Sequence, residues 1–339
     1  MKGKVKNMSW VTCTTNASSY VFDQSSVGIE TDLNGEIDTE ENYCIYQKSP
    51  EMLNPMSSVF AKKAGQQIRH LEVPENSGKK LFEEAVAFLS KQCEGIDLKN
   101  ITSLKFHANT YGLSSNNWFA DNIICKMTKL SKIDFSDTVE YQHRSDLCMG
   151  ISSMLRAVAE MKIIEIDLKD NFLDVDGARS IKDFIEVNKS LKILKMQNCR
   201  LGSKSAEILA EALSKNAKMK LEVLDLNDNN IEADGLKVLM PALSKMGSLH
   251  TFKFQTNIVD EKSTGLKIIL SEILKQKQLK ILHINGNLGI NNAMPEFLKL
   301  IKDFRTLYEL NISDLQMSEK NQSKLIEAWT QRFSKDWNI

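Results

Sequence analysis

Histidine and cysteine are the side chains best suited to hold a metal or attack a substrate near neutral pH, and their spacing here permits neither. The five histidines stand at 70, 107, 143, 250 and 283 and the six cysteines at 13, 44, 93, 125, 148 and 199, with no Cys-x-x-Cys pair and no His at ligand spacing. That scatter argues against a zinc site and against a disulfide framework, so the thiols read as free in a reducing compartment. The phosphate-cradling Gly-x-x-x-x-Gly-Lys-Ser/Thr loop, the Gly-x-Ser-x-Gly elbow and the His-Glu-x-x-His helix are missing as well. The chain is therefore expected to have no active site of its own and to need no cofactor. What remains is surface chemistry, hydrogen bonds and charges offered to a protein partner. Asp134-Phe-Ser-Asp137 and the Tyr141-Gln-His143-Arg144 run behind it supply groups of that kind.

Such groups act on a partner only if a rigid frame holds them, and here the frame is a repeat. Leu191-Lys-Ile-Leu194-Lys-Met196-Gln-Asn-Cys199-Arg-Leu201 and Leu221-Glu-Val-Leu224-Asp-Leu226-Asn-Asp-Asn229-Asn-Ile231 share the order L-x-x-L-x-L-x-x-(N/C)-x-L. The same order fits Leu104 to Asn109, Ile164 to Asn171, Leu249 to Asn257, Leu279 to Asn287 and Leu307 to Leu315. Its Asn slot falls at 109, 138, 171, 199, 229, 257, 287 and 315, at intervals of 29, 33, 28, 30, 28, 30 and 28. Apolar residues at helical spacing fill the second half of a unit: Ala206, Ile208, Leu209, Ala212 and Leu213, then Leu236, Leu239, Leu243 and Met246. Ser203 or Ser205 is suited to cap the first of these helices, and Pro241 should bend or loosen the second.

Each unit is apolar on one side only and cannot bury that side alone, so stacking is obligatory; full burial is worth roughly 1.5–3 kcal/mol for each large aliphatic. The pattern predicts an α/β leucine-rich-repeat solenoid, a horseshoe of inner parallel strands and outer helices, with about eight repeats of about 29 residues. In the Asn slot a side-chain amide can satisfy backbone groups of adjacent loops and form a ladder along the stack. Thr138, Cys199 and Leu315 occupy that slot without an amide, and Cys199 reads as a small buried ladder residue. The interval of 33 lengthens the loop that carries Arg144, and loops leaving a rigid stack are where function is usually placed.

Of the 339 residues, 42% are apolar and 26% charged, enough to bury one elongated core. Residues 1–65 lack the repeat frame, are rich in Ser, Thr, Asn and acids, and are expected to form a flexible acidic extension. Residues 66–339 are assigned to the repeat domain, with an N-terminal cap over 66–103 and a capping helix around Leu325, Ile326 and Trp329 within 318–339. Deleting residues 1–60 is expected to leave the melting temperature of the rest almost unchanged, and a large fall would reveal a docked element there. Lys plus Arg and Asp plus Glu both number 44, so no global field favours nucleic acid or an anionic membrane. No apolar run reaches the roughly 18 residues of a membrane span, and a monomer in the cytoplasm, including its perinuclear part, is expected.

Asn109-Thr110-Tyr111-Gly112, Trp118, Asn122-Ile123-Ile124 and Asp134-Phe135-Ser136-Asp137 follow one another within a single unit and its loop. In that order they resemble the RanGAP family, activators of the small GTPase Ran, whose corresponding blocks are N-T-x-G, Trp, N-x-I and (D/E)-F-S-D. The resemblance spans roughly residues 66–331. It implies that Arg144 matches the arginine ending the family's F-T-G-R loop, two residues further along. Gln197-Asn198-Cys199-Arg200-Leu201-Gly202 stands for the family's H-N-N-G-L-G, so that Asn198 matches the Asn implicated in activation. Lys169-Asp170-Asn171 stands for S-D-N, and Asp228 falls where a basic residue is usual. The implied activity is GTPase activation without an inserted arginine: the rim docks on GTP-bound Ran, Asn198 orders the GTPase's own catalytic residues, and Arg144 organises the docking surface. Asp137 and Asp170 are the implied contacts for basic residues of the partner. The alternative, from the repeat frame alone, is a non-catalytic scaffold that binds a protein through its inner face.

Overall fold

A run of Leu-x-x-Leu-x-Leu can bury alternate residues only by extending, and each run yields a strand of three residues. The computed structural model describes residues 68–73, 85–139, 143–258, 264–276 and 278–334; the 1–65 extension, Tyr141 and Gln142 lie outside them. Nine strands are described: β1 (His70–Glu72), β2 (Ser103–Lys105), β3 (Lys132–Asp134), β4 (Glu165–Asp167), β5 (Ile193–Lys195), β6 (Val223–Asp225), β7 (Thr251–Lys253), β8 (Ile281–His283) and β9 (Glu309–Asn311). They form one parallel sheet in chain order. Register is aligned residue for residue, so that Leu71, Leu104, Ile133, Ile166, Leu194, Leu224, Phe252, Leu282 and Leu310 make one buried row. The expected class is borne out. The 66–103 segment contributes the first strand, which pairs with β2 at one end of the described sheet.

The described helices are α1 (Ala85–Cys93), α2 (Leu113–Asn122), α3 (Arg144–Ala157), α4 (Asp174–Val187), α5 (Gly202–Lys215), α6 (Ala233–Met246), α7 (Gly265–Ile273), α8 (Met294–Asp303) and α9 (Glu319–Ser334). Successive helices pack on one another and on the sheet, with Leu209, Leu213, Leu236, Leu239 and Leu243 all within the core. No helix among the described residues is long and apolar enough to cross a membrane.

α6 continues through Pro241, from Ala233 to Met246. The buried face Leu236, Leu239, Met240 and Leu243 holds that helix in register despite the lost donor, as tertiary packing usually outweighs propensity. Ser203 and Ser205 do not cap α5, whose N-terminal turn has no side-chain cap. The Gly202 N–H is already taken by the Asn229 carbonyl at 2.9 Å. Both serines reach sideways instead: the Ser203 hydroxyl accepts from the Glu232 N–H at 3.3 Å, and the Ser205 hydroxyl donates to the Asp174 carbonyl at 3.0 Å.

Close helix packing shows at Gly150 of α3, where an added Cβ would come within 2.3 Å of Asn116 Nδ2 on α2. Asn116 is buried and already donates to the Tyr111 carbonyl at 2.9 Å, so it cannot swing away without losing that bond. Gly150→Ala is expected to destabilise the fold by about 1–3 kcal/mol, as overpacking typically does, despite alanine's higher helix propensity. Thermal denaturation checks it: a variant as stable as the parent would mean that the α2–α3 contact is slack.

Candidate functional site

The rim where strands end and helices begin is held by the expected ladder. Asn229 shows the rung's pattern: Oδ1 accepts from the Cys199 and Leu201 N–H groups at 2.9 and 3.3 Å, while Nδ2 donates to the Met196 and Asn227 carbonyls at 2.7 and 2.9 Å. Asn171, Asn257 and Asn287 repeat the arrangement on their own preceding loops. Thr138 and Cys199 keep only the donor half, through Thr138 Oγ1 to the Phe106 carbonyl at 3.3 Å and Cys199 Sγ to the Leu168 carbonyl at 3.0 Å. Burial pushes the Cys199 thiol far above its ordinary range, so it stays protonated and serves as a donor. Leu315 fills the last slot by apolar burial.

Immediately before each slot comes a turn residue, and all eight have left-handed backbone: Ala108, Asp137, Asp170, Asn198, Asp228, Thr256, Gly286 and Asp314. The geometry repeats because the N–H of every turn but the last, Asp314, is fixed to the next repeat, as in Asp170 N–H to the Gln197 carbonyl at 2.9 Å and Asn198 N–H to the Asn227 carbonyl at 2.9 Å. Asp and Asn are the non-glycine residues that enter this region most readily, which accounts for much of the column's composition. Three of the four residues singled out from the sequence, Asp137, Asp170 and Asn198, are thereby brought to successive places in one exposed column, joined by Asp228. Asn198 Nδ2 donates to Asp170 Oδ1 at 3.0 Å.

The column's charge is left uncompensated. Carboxylates on the open face of the sheet pair with neighbours, Glu72 with Lys105 at 2.7 Å, Glu165 and Asp167 with Lys195 at 2.8 and 3.7 Å, and Asp225 with Lys253 at 3.6 Å. Among the described residues no cation pairs with Asp137, Asp170 or Asp228. Desolvation raises the Asp228 carboxyl above its ordinary 3.8, the Thr256 hydroxyl opposes this, and Asp225 and Asp170 add to it. A carboxyl raised by folding holds its proton more tightly in the native state, so its ionised form costs stability; the penalty is absent below the ordinary value and sets in as pH rises through the raised one. Asp228→Asn is expected to melt slightly above the parent at pH 7, with the difference vanishing once pH drops below 3.8. Equal melting temperatures at both ends of that range would remove the strain from this position.

Arg144 departs from expectation. It is not on the loop but is the first residue of α3, with Nη1 3.3 Å from Asp174 Oδ2 and Nε 4.0 Å from Asp176 Oδ2. The two aspartates open α4, where acid favours the helix N-terminus, and they draw the guanidinium across one repeat. Arg144 stays on the same rim as Asn198, since the Asp174 N–H bonds the Cys199 carbonyl at 3.2 Å.

Two features escaped the sequence reading. Arg200 also has left-handed backbone and lies with its guanidinium carbon 4.8 Å from the centre of the Phe172 ring. A second amide ladder runs at the helix C-termini, where Asn188 Nδ2 donates to the Ala159 and Met161 carbonyls at 3.1 and 2.9 Å and Asn216 Nδ2 to the Ile185 and Asn188 carbonyls at 2.7 and 2.6 Å. The repeat-phase spacing of Asn188 and Asn216 was the available signal.

The second half of the stack has a counterpart elsewhere. Residues 185–319 match the PRAME C-terminal domain family. The match takes in β5 to β9, and with them Asn198, Arg200 and Asn229, but stops short of Asp137, Arg144 and Asp170. Among solved structures the chain is similar to a tropomodulin C-terminal domain from Caenorhabditis elegans, at 14% identity and a TM-score of 0.27, over 66% of this chain and 95% of that one. The PRAME-like stretch and the nine-stranded stack agree on a leucine-rich-repeat-like architecture of the kind that serves as a protein-binding scaffold.

Proposed function

We propose that this chain works through the rim of its solenoid on a small GTPase of the Ran type in its GTP-bound state, as an activator with no active site of its own. The observation that carries the reading is the column Asp137, Asp170, Asn198 and Asp228, in which carboxylates flank one neutral amide on turns fixed to neighbouring repeats. The carboxylates attract basic residues of the partner and steer docking. Asn198 spends one N–H on Asp170 and keeps an acceptor and a second donor for the partner.

Hydrolysis by such a GTPase is limited by how its attacking water and its own Gln are positioned and by charge on the transferring phosphoryl group. An amide carrying both donor and acceptor can hold a Gln side chain without adding charge, and that is the role proposed for Asn198. Arg144 is a positioning residue: its pairs with Asp174 and Asp176 brace the α4 start, whose Asp174 N–H holds the Cys199 carbonyl beside Asn198. A monomeric state and a cytoplasmic, perinuclear site of action go with this reading.

The second reading, a non-catalytic scaffold, draws support from the open face of the sheet. There the half-buried Ile193, Val223, Thr251 and Ile281 stand side by side in one row, apolar but for the Thr251 hydroxyl, beside the self-neutralised charges. Single-turnover GTP hydrolysis by Ran, with and without a stoichiometric amount of this chain, separates the two. Acceleration is expected; an unchanged rate leaves the scaffold reading.

A further inference from the structure

We propose that Arg200, held by Phe172, is the docking cation of this rim and receives a carboxylate of the bound GTPase; the proposal rests on the reading just given. Three observations carry it. Arg200 stands two residues from Asn198 on the far side of the buried Cys199, so that both side chains leave the same turn. Its guanidinium lies 4.8 Å from the centre of the Phe172 ring, close enough for cation–π attraction, and the ring is itself half-buried against the core. Its backbone is left-handed, a conformation that a long side chain rarely adopts.

The consequences follow from guanidinium geometry. A guanidinium attracted to a ring through its charge keeps its N–H donors available to a partner. An exposed arginine normally loses much side-chain freedom when it binds; one already laid on a ring has lost part of it beforehand. Among the described residues no carboxylate pairs with Arg200, whereas Arg144 is already engaged by Asp174 and Asp176. The rim thus presents a cation at Arg200 among the carboxylates of Asp170 and Asp228, a mixed pattern that fixes the partner's register as well as attracting it. Such a fork accepts a carboxylate through two parallel hydrogen bonds. Arg200 acts in binding, and Asn198 acts in the chemical step.

The test uses the full chain and GTP-loaded Ran, with a binding titration and single-turnover hydrolysis at saturation. Arg200→Ala is expected to weaken binding at least about tenfold, the loss of one charge-assisted pair, while the saturated rate stays within about twofold of the parent. Arg200→Lys is expected to recover little, since an ammonium lacks the fork. Phe172→Leu should weaken binding by a smaller factor, and should cost nothing further once Arg200 is already alanine. Should Arg200→Ala prove misfolded by circular dichroism, Arg200→Lys and Phe172→Leu carry the same comparison. Parent-like binding by the Arg200 variants, with an active parent, overturns the arginine's role and leaves the GTPase reading standing. A slower saturated rate with unchanged binding assigns Arg200 to the chemical step and also overturns the proposal. A parent that neither binds nor activates removes both.

Discussion

Asn198→Ala should lower the single-turnover rate of GTP hydrolysis at saturating Ran by about 100-fold or more, because positioning errors of an ångström cost that much. Its effect on folding should be small. The side chain is exposed and gives up one hydrogen bond, 3.0 Å to Asp170, worth about 1 kcal/mol. Alanine must also adopt the left-handed backbone at φ 52°, which adds roughly 1 kcal/mol of strain. Asn198→Gly separates the two contributions: it relieves the strain, lacks the amide, and should be as slow as the alanine variant. Arg144→Ala should also lower the rate by about 100-fold and, unlike Asn198→Ala, weaken docking to GTP-loaded Ran. Its stability cost should stay below about 1 kcal/mol, since its ion pairs are half exposed. Arg144→Lys, which keeps a cation near Asp174, should recover part of the activity, as a positioning role requires. If both alanine variants fold and activate as the parent does, neither residue serves activation.

The largest expected loss of stability comes from a residue with no proposed contact to a partner. Asn229→Ala removes one side chain that satisfies the Cys199 and Leu201 N–H groups and the Met196 and Asn227 carbonyls, all in a fully buried setting. Orphaned buried polar groups cost about 1–3 kcal/mol each, and partial relaxation should leave a net loss of about 3–5 kcal/mol. Asn229→Asp retains the acceptor half and should fall between parent and alanine. Cys199→Ala, which removes a thiol donating at 3.0 Å and little else, should cost distinctly less than Asn229→Ala. Urea denaturation would rank the four proteins. An Asn229→Ala variant no weaker than Asn198→Ala would mean that the ladder is ornamental and that apolar stacking alone holds the rim.

These contrasts show what could be read from the residues before any coordinates. The repeat frame was legible because its Leu positions and Asn slot recur at nearly fixed intervals, and each occurrence reinforces the others. Arg144 was misjudged as a loop residue, since its helical state goes with Asp174 and Asp176, thirty residues on, and no local pattern announces such a partner. Asp137, Asp170 and Asn198 were found through a family resemblance, although a plainer signal lay beside them: the place before each slot favours Asp, Asn or Gly, as a left-handed turn demands. Arg200 escaped because its type breaks that habit, and its platform, Phe172, belongs to the preceding repeat. The strand at His70–Glu72 was passed over although Ile68, Leu71, Val73 and Asn76 stand in the repeat order, because they lie beside a segment without the frame and 33 residues ahead of Asn109.

The sheet order has a consequence for how such a molecule can change. Among the described residues each inner strand pairs with the strands before and after it in the chain, so a repeat packs chiefly on its two neighbours, as in a linear lattice. An insertion or loss of one whole unit of about 29 residues would rejoin equivalent rows, Leu on Leu and slot on slot, and lengthen or shorten the arc while leaving distant rungs as they were. The rim column is then modular: a substitution at Asp228 alters one square of the surface without disturbing Asp137, and partner choice can drift repeat by repeat while the ladder behind it stays the same.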